Sequence, residues 1–571
     1  MSVAMKRVRI EIAKGEEKAD LVIKNGNIVN VFTKEIVRGD IAISKDLIIG
    51  IGDYSGYKEI DATGKYICPG LIDGHVHIES TMVTPSEFAK AVLPQGTTTV
   101  IADPHEIANV CGINGISFMI NQAKGLPMNI FYMMPSCVPS TNFENNGAHI
   151  NSDLIAAFVN NENILGLGEV MDYEGVLECK EDLLKKIDLF DDKIIDGHSP
   201  GLTGKALNAY RAAGVVTDHE CSTIEEGIER LRLGMYLQIR EGSAARNLEK
   251  LIMGLLTKGI PFNRAVFCTD DKHLEDIKKE GHINYNVRKA ISFGVDPIDA
   301  ISMATINTAQ CYRLKRLGAV AIGYSADLII LNSLEEFEID KVLFRGEIIC
   351  ENGKLTKIIN TKIEDKNVFN TVRIRNIKKE DLNIRLSQDK ATVISIIPRE
   401  LITKKEIAAV KVKDGLFTPD DNYSKIAVIE RHKATNNIGL GIVKNFNIKN
   451  GAIASTVAHD SHNLIVIGDN DEDMLLAIKE LKKVNGGFTV VGAGGVKATL
   501  ELPIAGLISD KSMDYVVETL ERLINEAKKL GINEKLEPFI TLSFLALPVI
   551  PEIRVTDRGL FDVTNFKFIN I

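Results

Sequence analysis

Two histidines one residue apart, His75 and His77 in the stretch CPGLIDGHVHIES, are the first residues of this chain whose types and spacing suit chemistry. In an extended strand the side chains at i and i+2 leave from the same side, so two imidazoles are presented together as half of a metal site. The chain has only 11 histidines in 571 residues, and others stand in short polar motifs: His105 in ADPHE, His198 in DGHSP and His219 in TDHE. Carboxylates stand in similar places, with Glu106 beside His105, Glu169 in GLGEV and Asp270 in FCTDDKH. Imidazole and carboxylate without thiolate suit zinc, iron or manganese rather than a cysteine-built structural zinc site.

The elements that must position these residues can be read from residues 70–315, where short β-branched runs alternate with longer helical patterns. Eight runs stand out: GLIDGHVH, TTTVIADPHE, NIFYMMPS, ILGLGEV, KIIDGHSP, GVVTDHE, MYLQIREGS and AVFCTDDKH. Eight strands, each followed by a helix-compatible segment, predict an α/β fold of the TIM-like (β/α)8 barrel type, whose strand ends open onto one catalytic face. His75 and His77 then end strand one, Glu169 strand four, His198 strand five, His219 strand six and Asp270 strand eight. Four imidazoles and two carboxylates at one mouth are enough for two divalent metals, with Glu169 suitably placed to bridge them.

Two metals sharing one water would supply hydroxide near neutral pH, and the chemistry that follows is hydrolysis. A carboxylate beside that water is expected to carry its proton to the leaving group. Asp270 is the choice for this shuttle. Asp271 is its rival, although neighbouring residues on a strand face opposite ways.

Strand-rich pieces flank the barrel on both sides. ADLVIKNGNIVNV carries a hairpin signal at Asn25-Gly26, and residues 323–355 contain a second turn pair, Asn352-Gly353. The expected organisation is a small β-sandwich from 1–69 with 316–360, a barrel over 70–315, and a separate α/β or α+β domain over 361–571. In that last part NDEDMLLAIKELKKVNGG and SMDYVVETLERLINEAKKLG read as helices, the second with Ser512 as N-cap and Gly531 past its end. FITLSFLALPVIP is too short and proline-broken to span a bilayer and reads as buried strand or turn. VVGAGGV does not match the dinucleotide fingerprint and reads as a tight turn. HDSHN, with His459, Asp460 and His462, reads as a cluster capping the barrel mouth, with a second metal site as the alternative.

The motifs PGLIDGHVHIES, ADPHEIANV, GLGEVMD, DGHSPGLTGKALNAY, TDHE, MYLQIREGSAARNL and CTDDKH resemble the amidohydrolase superfamily, and within it the adenine deaminases. VAHDSHNLIVIG, ELPIAGLISD and SFLALPVIPEIRVTDRGLFDV resemble the extra C-terminal domain of that family. The resemblance implies hydrolysis of adenine to hypoxanthine and ammonia, with His75, His77, Glu169, His198, His219 and Asp270 as the metal set and Asp270 doubling as proton shuttle. Glu169 stands where many relatives carry a carboxylated lysine. The implied metals are manganese or iron, with zinc able to occupy the same ligands, and no organic cofactor is expected. Candidates for the group that meets the purine are Glu106 and His105 at strand two, and Glu241 and Ser243 at strand seven. Glu106 could instead pair with an arginine such as Arg240.

A formal charge of −9 argues against a nucleic-acid surface. Eight cysteines without a CxxC pair, and a start with no apolar signal core, lead to the expectation of a cytoplasmic protein with reduced thiols. Adenine is the expected partner, with no membrane, and self-association is expected of so large a barrel. Two rival functions are another hydrolase on the same scaffold, a cyclic amide hydrolase or an amino-sugar deacetylase, and a scaffold protein without catalysis. The first would not explain the long C-terminal part. The second should have lost ligands, and every expected position is filled.

Overall fold

The computed structural model describes residues 3–571 apart from Ala244, Asn360, Glu364 and Arg399. The eight runs form eight strands: β1 (Leu71–Val76), β2 (Thr97–Ala102), β3 (Asn129–Met134), β4 (Ile164–Val170), β5 (Ile194–Gly197), β6 (Thr217–Asp218), β7 (Tyr236–Arg240) and β8 (Ala265–Cys268). Parallel pairing joins β1 to β5 in sequence and β6 to β8 in sequence. Two seams close the curl. Val216 N donates to Ile195 O at 3.0 Å between the fifth and sixth strands, and Asp270 N donates to His75 O at 2.9 Å between the eighth and the first. Every residue of β1 and β2 is buried, because such strands have helices on one side and barrel interior on the other. Continuous apolar runs are the sequence form of that burial.

The two flanks pair with each other in one nine-stranded sheet. Tyr66–Pro69, leading into the barrel, lies antiparallel to Leu328–Ser333, which follows it, so the sheet ties the barrel's entry to its exit. Asn352-Gly353 forms the expected hairpin between Glu347–Glu351 and Lys354–Leu355, with both residues at positive φ. Asn25-Gly26 does not. The strand Ala19–Asn30 runs straight through it, and a register shift between Ile23 and Gly26 shows a bulge rather than a turn. Asn25 takes the left-handed conformation in either case, so the local signal is shared and the long pairing with Glu35–Ser44 decides. A helix, Val3–Ala13, precedes the first strand of this sheet and is not anticipated by the sequence analysis.

The C-terminal part is built on an eight-stranded mixed sheet. Helix Asp471–Lys483 packs Met474, Ala477, Ile478 and Leu481 against it, and helix Met513–Lys529 buries Val516, Val517, Leu520, Leu523 and Ala527. Both begin where their caps predict, with Asn470 Oδ1 accepting the Asp473 N–H at 2.8 Å and Ser512 accepting from Tyr515. Asn470→Ala is expected to cost about 1 kcal/mol, read as a lower midpoint of denaturant unfolding without a change of slope. Within VVGAGGV, Ala493 and Gly494 turn the hairpin between Gly487–Gly492 and Gly495–Glu501, so the expected tight turn is there. FITLSFLALPVIP is not a strand: Pro538 starts a short helix, Pro538–Phe544, because proline is tolerated at the first helical position. None of the described helices is long and apolar enough to cross a membrane.

This C-terminal part sits on the barrel mouth. Ser509 N donates to Met82 O at 2.8 Å, Met513 N to Glu87 Oε2 at 2.9 Å, and Asn145 N to Asp557 Oδ1 at 2.9 Å.

Candidate metal centre

All six expected ligands converge at the C-terminal ends of the barrel strands. Glu169, the penultimate residue of β4, stands at the middle with its two oxygens facing different imidazoles. Oε1 lies 3.3 Å from His77 Nε2 and 3.7 Å from His75 Nε2. Oε2 lies 2.6 Å from His198 Nδ1 and 3.3 Å from His219 Nε2. Asp270 Oδ1 completes the cluster at 3.1 Å from His77 Nε2 and 3.6 Å from His75 Nε2.

The backbone explains why these side chains meet. His75 and His77 sit two apart at the end of β1, and their Nε2 atoms are 3.1 Å apart. His77 is oriented from behind by Asp103 O, 2.9 Å from its Nδ1. Glu169 is held through its own N–H, which donates to Asp103 Oδ2 at 3.0 Å. That approach needs Gly168, because a Cβ there would lie 2.2 Å from the same carboxylate oxygen. Asp270 lies beyond the end of β8, at φ 59°, so strand alternation no longer applies. As a result Asp271 does not face away. Its carboxylate reaches within 4.8 Å of ligand atoms of His77 and Asp270, and Ser80 Oγ donates to it.

Burial would push the Glu169 carboxyl up, yet His105, His198, His219 and His77 around it hold it well below the usual range. Burial acts the same way on Asp270, where Arg240 is the strongest opposing influence, followed by His75, His77 and His219. Arg240 Nη1 lies 2.6 Å from Asp270 Oδ2 and also pairs with Glu220. Glu220, immediately after His219 in TDHE, is the partner that the sequence analysis misses. The Glu106 to Arg240 pair considered there does not form. Two further carboxyls below the mouth are pushed up to about 7 by burial: Asp73, which accepts from Thr269, and Asp196, which accepts from Tyr312 and Thr217.

The candidates for meeting the substrate separate. His105 Nδ1 is 3.2 Å from Glu169 Oε1 while its Nε2 is 3.6 Å from Glu106 Oε1, so this ring links the two carboxylates. Glu106 is met by His459 and His462 from the C-terminal part. Glu241 is fully buried and pairs with Lys289 at 2.7 Å and Arg246 at 3.5 Å. Ser243 donates to Asp276. A cleft beside the centre is lined by Ser80, Glu106, Asp271 and His459, with Phe539 and Phe544 as apolar wall.

The donor set fits divalent metals. Two buried carboxylate oxygens at the centre, Glu169 Oε1 and Asp103 Oδ1, accept no hydrogen bond among the described residues. In folded proteins buried polar groups are almost always satisfied, so unpaired carboxylate oxygens among several imidazoles suit a cation. Two imidazole nitrogens 3.1 Å apart, both turned toward Glu169 Oε1 and Asp270 Oδ1, give a cation nitrogen and oxygen donors in one place.

A barrel with this mouth defines the amidohydrolase class, and the amidohydrolase family model matches residues 66–349. A second model, the adenine deaminase C-terminal domain, matches residues 400–567. The chain is 50% identical to the adenine deaminase of Clostridium acetobutylicum over 98% of its own length and 99% of the relative's. It is 48% identical to that of Geobacillus kaustophilus over 99% and 98%. The chain belongs to the adenine deaminase family.

Proposed function

We propose that this chain hydrolyses adenine to hypoxanthine and ammonia at a centre of two divalent metal ions held by His75, His77, Glu169, His198, His219 and Asp270. The observation that carries the proposal is the division of Glu169, whose Oε1 faces His75 and His77 while Oε2 faces His198 and His219. One carboxylate between two imidazole pairs is the arrangement a bridging ligand needs. The names of the relatives support adenine as substrate. Manganese or iron is the proposed metal, with zinc compatible with the same donors.

When bound, the two ions would acidify a shared water and polarise the carbon it attacks. The remaining work falls to the chain. Asp270, held by Arg240 through Oδ2, turns Oδ1 into the centre, where it is placed to take a proton from the attacking water and deliver it to the departing amine. Asp103 fixes Glu169 and His77 from behind, so neither has to reorganise during reaction. The cleft offers apolar wall for the ring faces and polar groups for its edge, the usual division of labour in a small-ligand site.

Ammonia release from adenine, with adenosine and cytosine as controls, tests the assignment on protein loaded with manganese or iron under reducing conditions. Release from adenine is the expected result. A fully metallated sample that releases none would return the substrate question to cyclic amides and acetylated amino sugars.

A further inference from the structure

Glu106 stands in the sequence analysis as a group that could protonate the purine, yet both its oxygens are taken by side chains from the C-terminal part. His459 Nδ1 lies 2.6 Å from Oε1, and His462 Nε2 closes on Oε2. The backbone sets the tautomer of His462. Its Nδ1 lies 3.2 Å from the Ala458 N–H and accepts it, so Nε2 carries the proton and donates it to Glu106. The same bond speaks against a metal among these three residues, although their ligand atoms lie within 4.8 Å of one another. An imidazole ligating through Nε2 would turn an Nδ1–H against the Ala458 N–H.

His459 differs from His462 in what its second nitrogen does. Nδ1 is committed to Glu106, the ring stacks on Phe544 at 4.9 Å and 28°, and Nε2 makes no hydrogen bond among the described residues. The side chain is 13% exposed and lines the cleft with Ser80, Glu106 and Asp271. The cleft meets the metal centre, because Asp271 reaches within 4.8 Å of His77 and Asp270 ligand atoms and His105 links Glu106 to Glu169.

Resting on the adenine deamination proposed above, we infer that His459 is the catalytic proton donor to the purine ring, with Glu106, His462 and Phe544 as its positioning residues. The barrel by itself would then lack the donor, and the C-terminal part completes the active site. As the C6–O bond forms, the Nε2 proton of His459 passes to the ring nitrogen next to C6, where it stays in the hypoxanthine product. Asp270 carries one proton of the attacking water to the amine as the C6–N bond breaks. The second water proton goes to solvent, and His459 is recharged from the cleft. Oxygen, nitrogen and protons balance to hypoxanthine and ammonia.

The electrostatics agree. Burial would depress the His459 imidazole, but Glu106, with Asp271 and Asp460 further off, raises it to about 9, so it is charged at neutral pH. His462 is lowered by its burial and stays neutral. One charge is thus held against one carboxylate, on the ring that faces the cleft.

The test uses the full-length, manganese-loaded chain and its His459→Ala, His459→Gln and Glu106→Gln variants, with kcat, KM, metal content and pH profile measured on adenine. His459→Ala is expected to lower kcat about 10²–10⁴-fold with little change in KM or metal content. His459→Gln, which keeps a neutral N–H donor, is expected to recover part of that loss. The wild-type rate should fall as pH rises through about 9, because the active form is the protonated one. That limb should vanish in both His459 variants and move to lower pH in Glu106→Gln, where the imidazolium loses its carboxylate. A kcat near the wild-type value in His459→Ala would overturn the inference, and so would a third metal equivalent that disappears with His459. An inactive but fully metallated wild type would overturn the adenine assignment as well, which separates the two failures.

Discussion

Asp270→Asn is expected to lower turnover of adenine by roughly 10²–10⁴-fold while metal remains bound. The two oxygens of Asp270 have separate duties. Oδ2 is fixed by Arg240 at 2.6 Å, and Oδ1 faces His77 and His75 in the cluster. An amide placed in the same envelope can still present its one oxygen to the centre, with its NH2 turned toward Arg240 in place of Oδ2, but it has no basic site for the proton of the attacking water. The loss should therefore appear in kcat, with metal content by elemental analysis changed far less. Asp271 bears on the interpretation. It lies on the same side of the site as Asp270, and the sequence-based assumption that neighbours face apart fails here. Asp271→Asn measured beside Asp270→Asn distinguishes them, and near-normal turnover in Asp270→Asn would remove that residue from the shuttle role.

Glu169→Gln is expected to lower metal content and activity together. Each oxygen of Glu169 faces its own pair of imidazoles, and the side chain is 3% exposed, so nothing from solvent can replace it. Glutamine keeps one acceptor and puts an NH2 group where the other stood, turning a donor toward imidazoles. Metal affinity should fall by more than the roughly 10–100-fold that follows loss of an outer-shell partner. Elemental analysis checks it: a variant that keeps two equivalents per chain after dialysis would sink the bridging assignment. Because Glu169 is also held by the Asp103 carboxylate through its backbone, Gly168→Ala offers a second route to the same effect without touching a ligand.

Much of this was legible in the residues. Eight β-branched runs with polar ends became eight strands, since a strand buried on both faces must be apolar along its length and can turn polar only where it leaves the barrel. The His-x-His pair became two imidazoles on one side because strand geometry has a period of two. Caps at Asn470 and Ser512 marked helix starts for equally local reasons. Local signals failed where one conformation serves two ends. Asn25-Gly26 adopts a turn-compatible backbone and still continues a strand. FITLSF is apolar enough for a strand and becomes a helix because Pro538 opens it and Glu537 caps it.

The chain's own composition and spacing thus determined the barrel, the side of it that is chemical, and the six residues brought together there, each of them carried by a strand end. Tertiary structure decided what touches those residues from elsewhere. Arg240 and Glu220 could be paired only once β6 and β7 were neighbours. Nothing near HDSHN says that His459 and His462 will close on Glu106, whose partners lie 353 and 356 residues along the chain. A hydrogen bond is specified by distance in space, and pattern along the chain carries only the part of that distance which one strand or one helix spans.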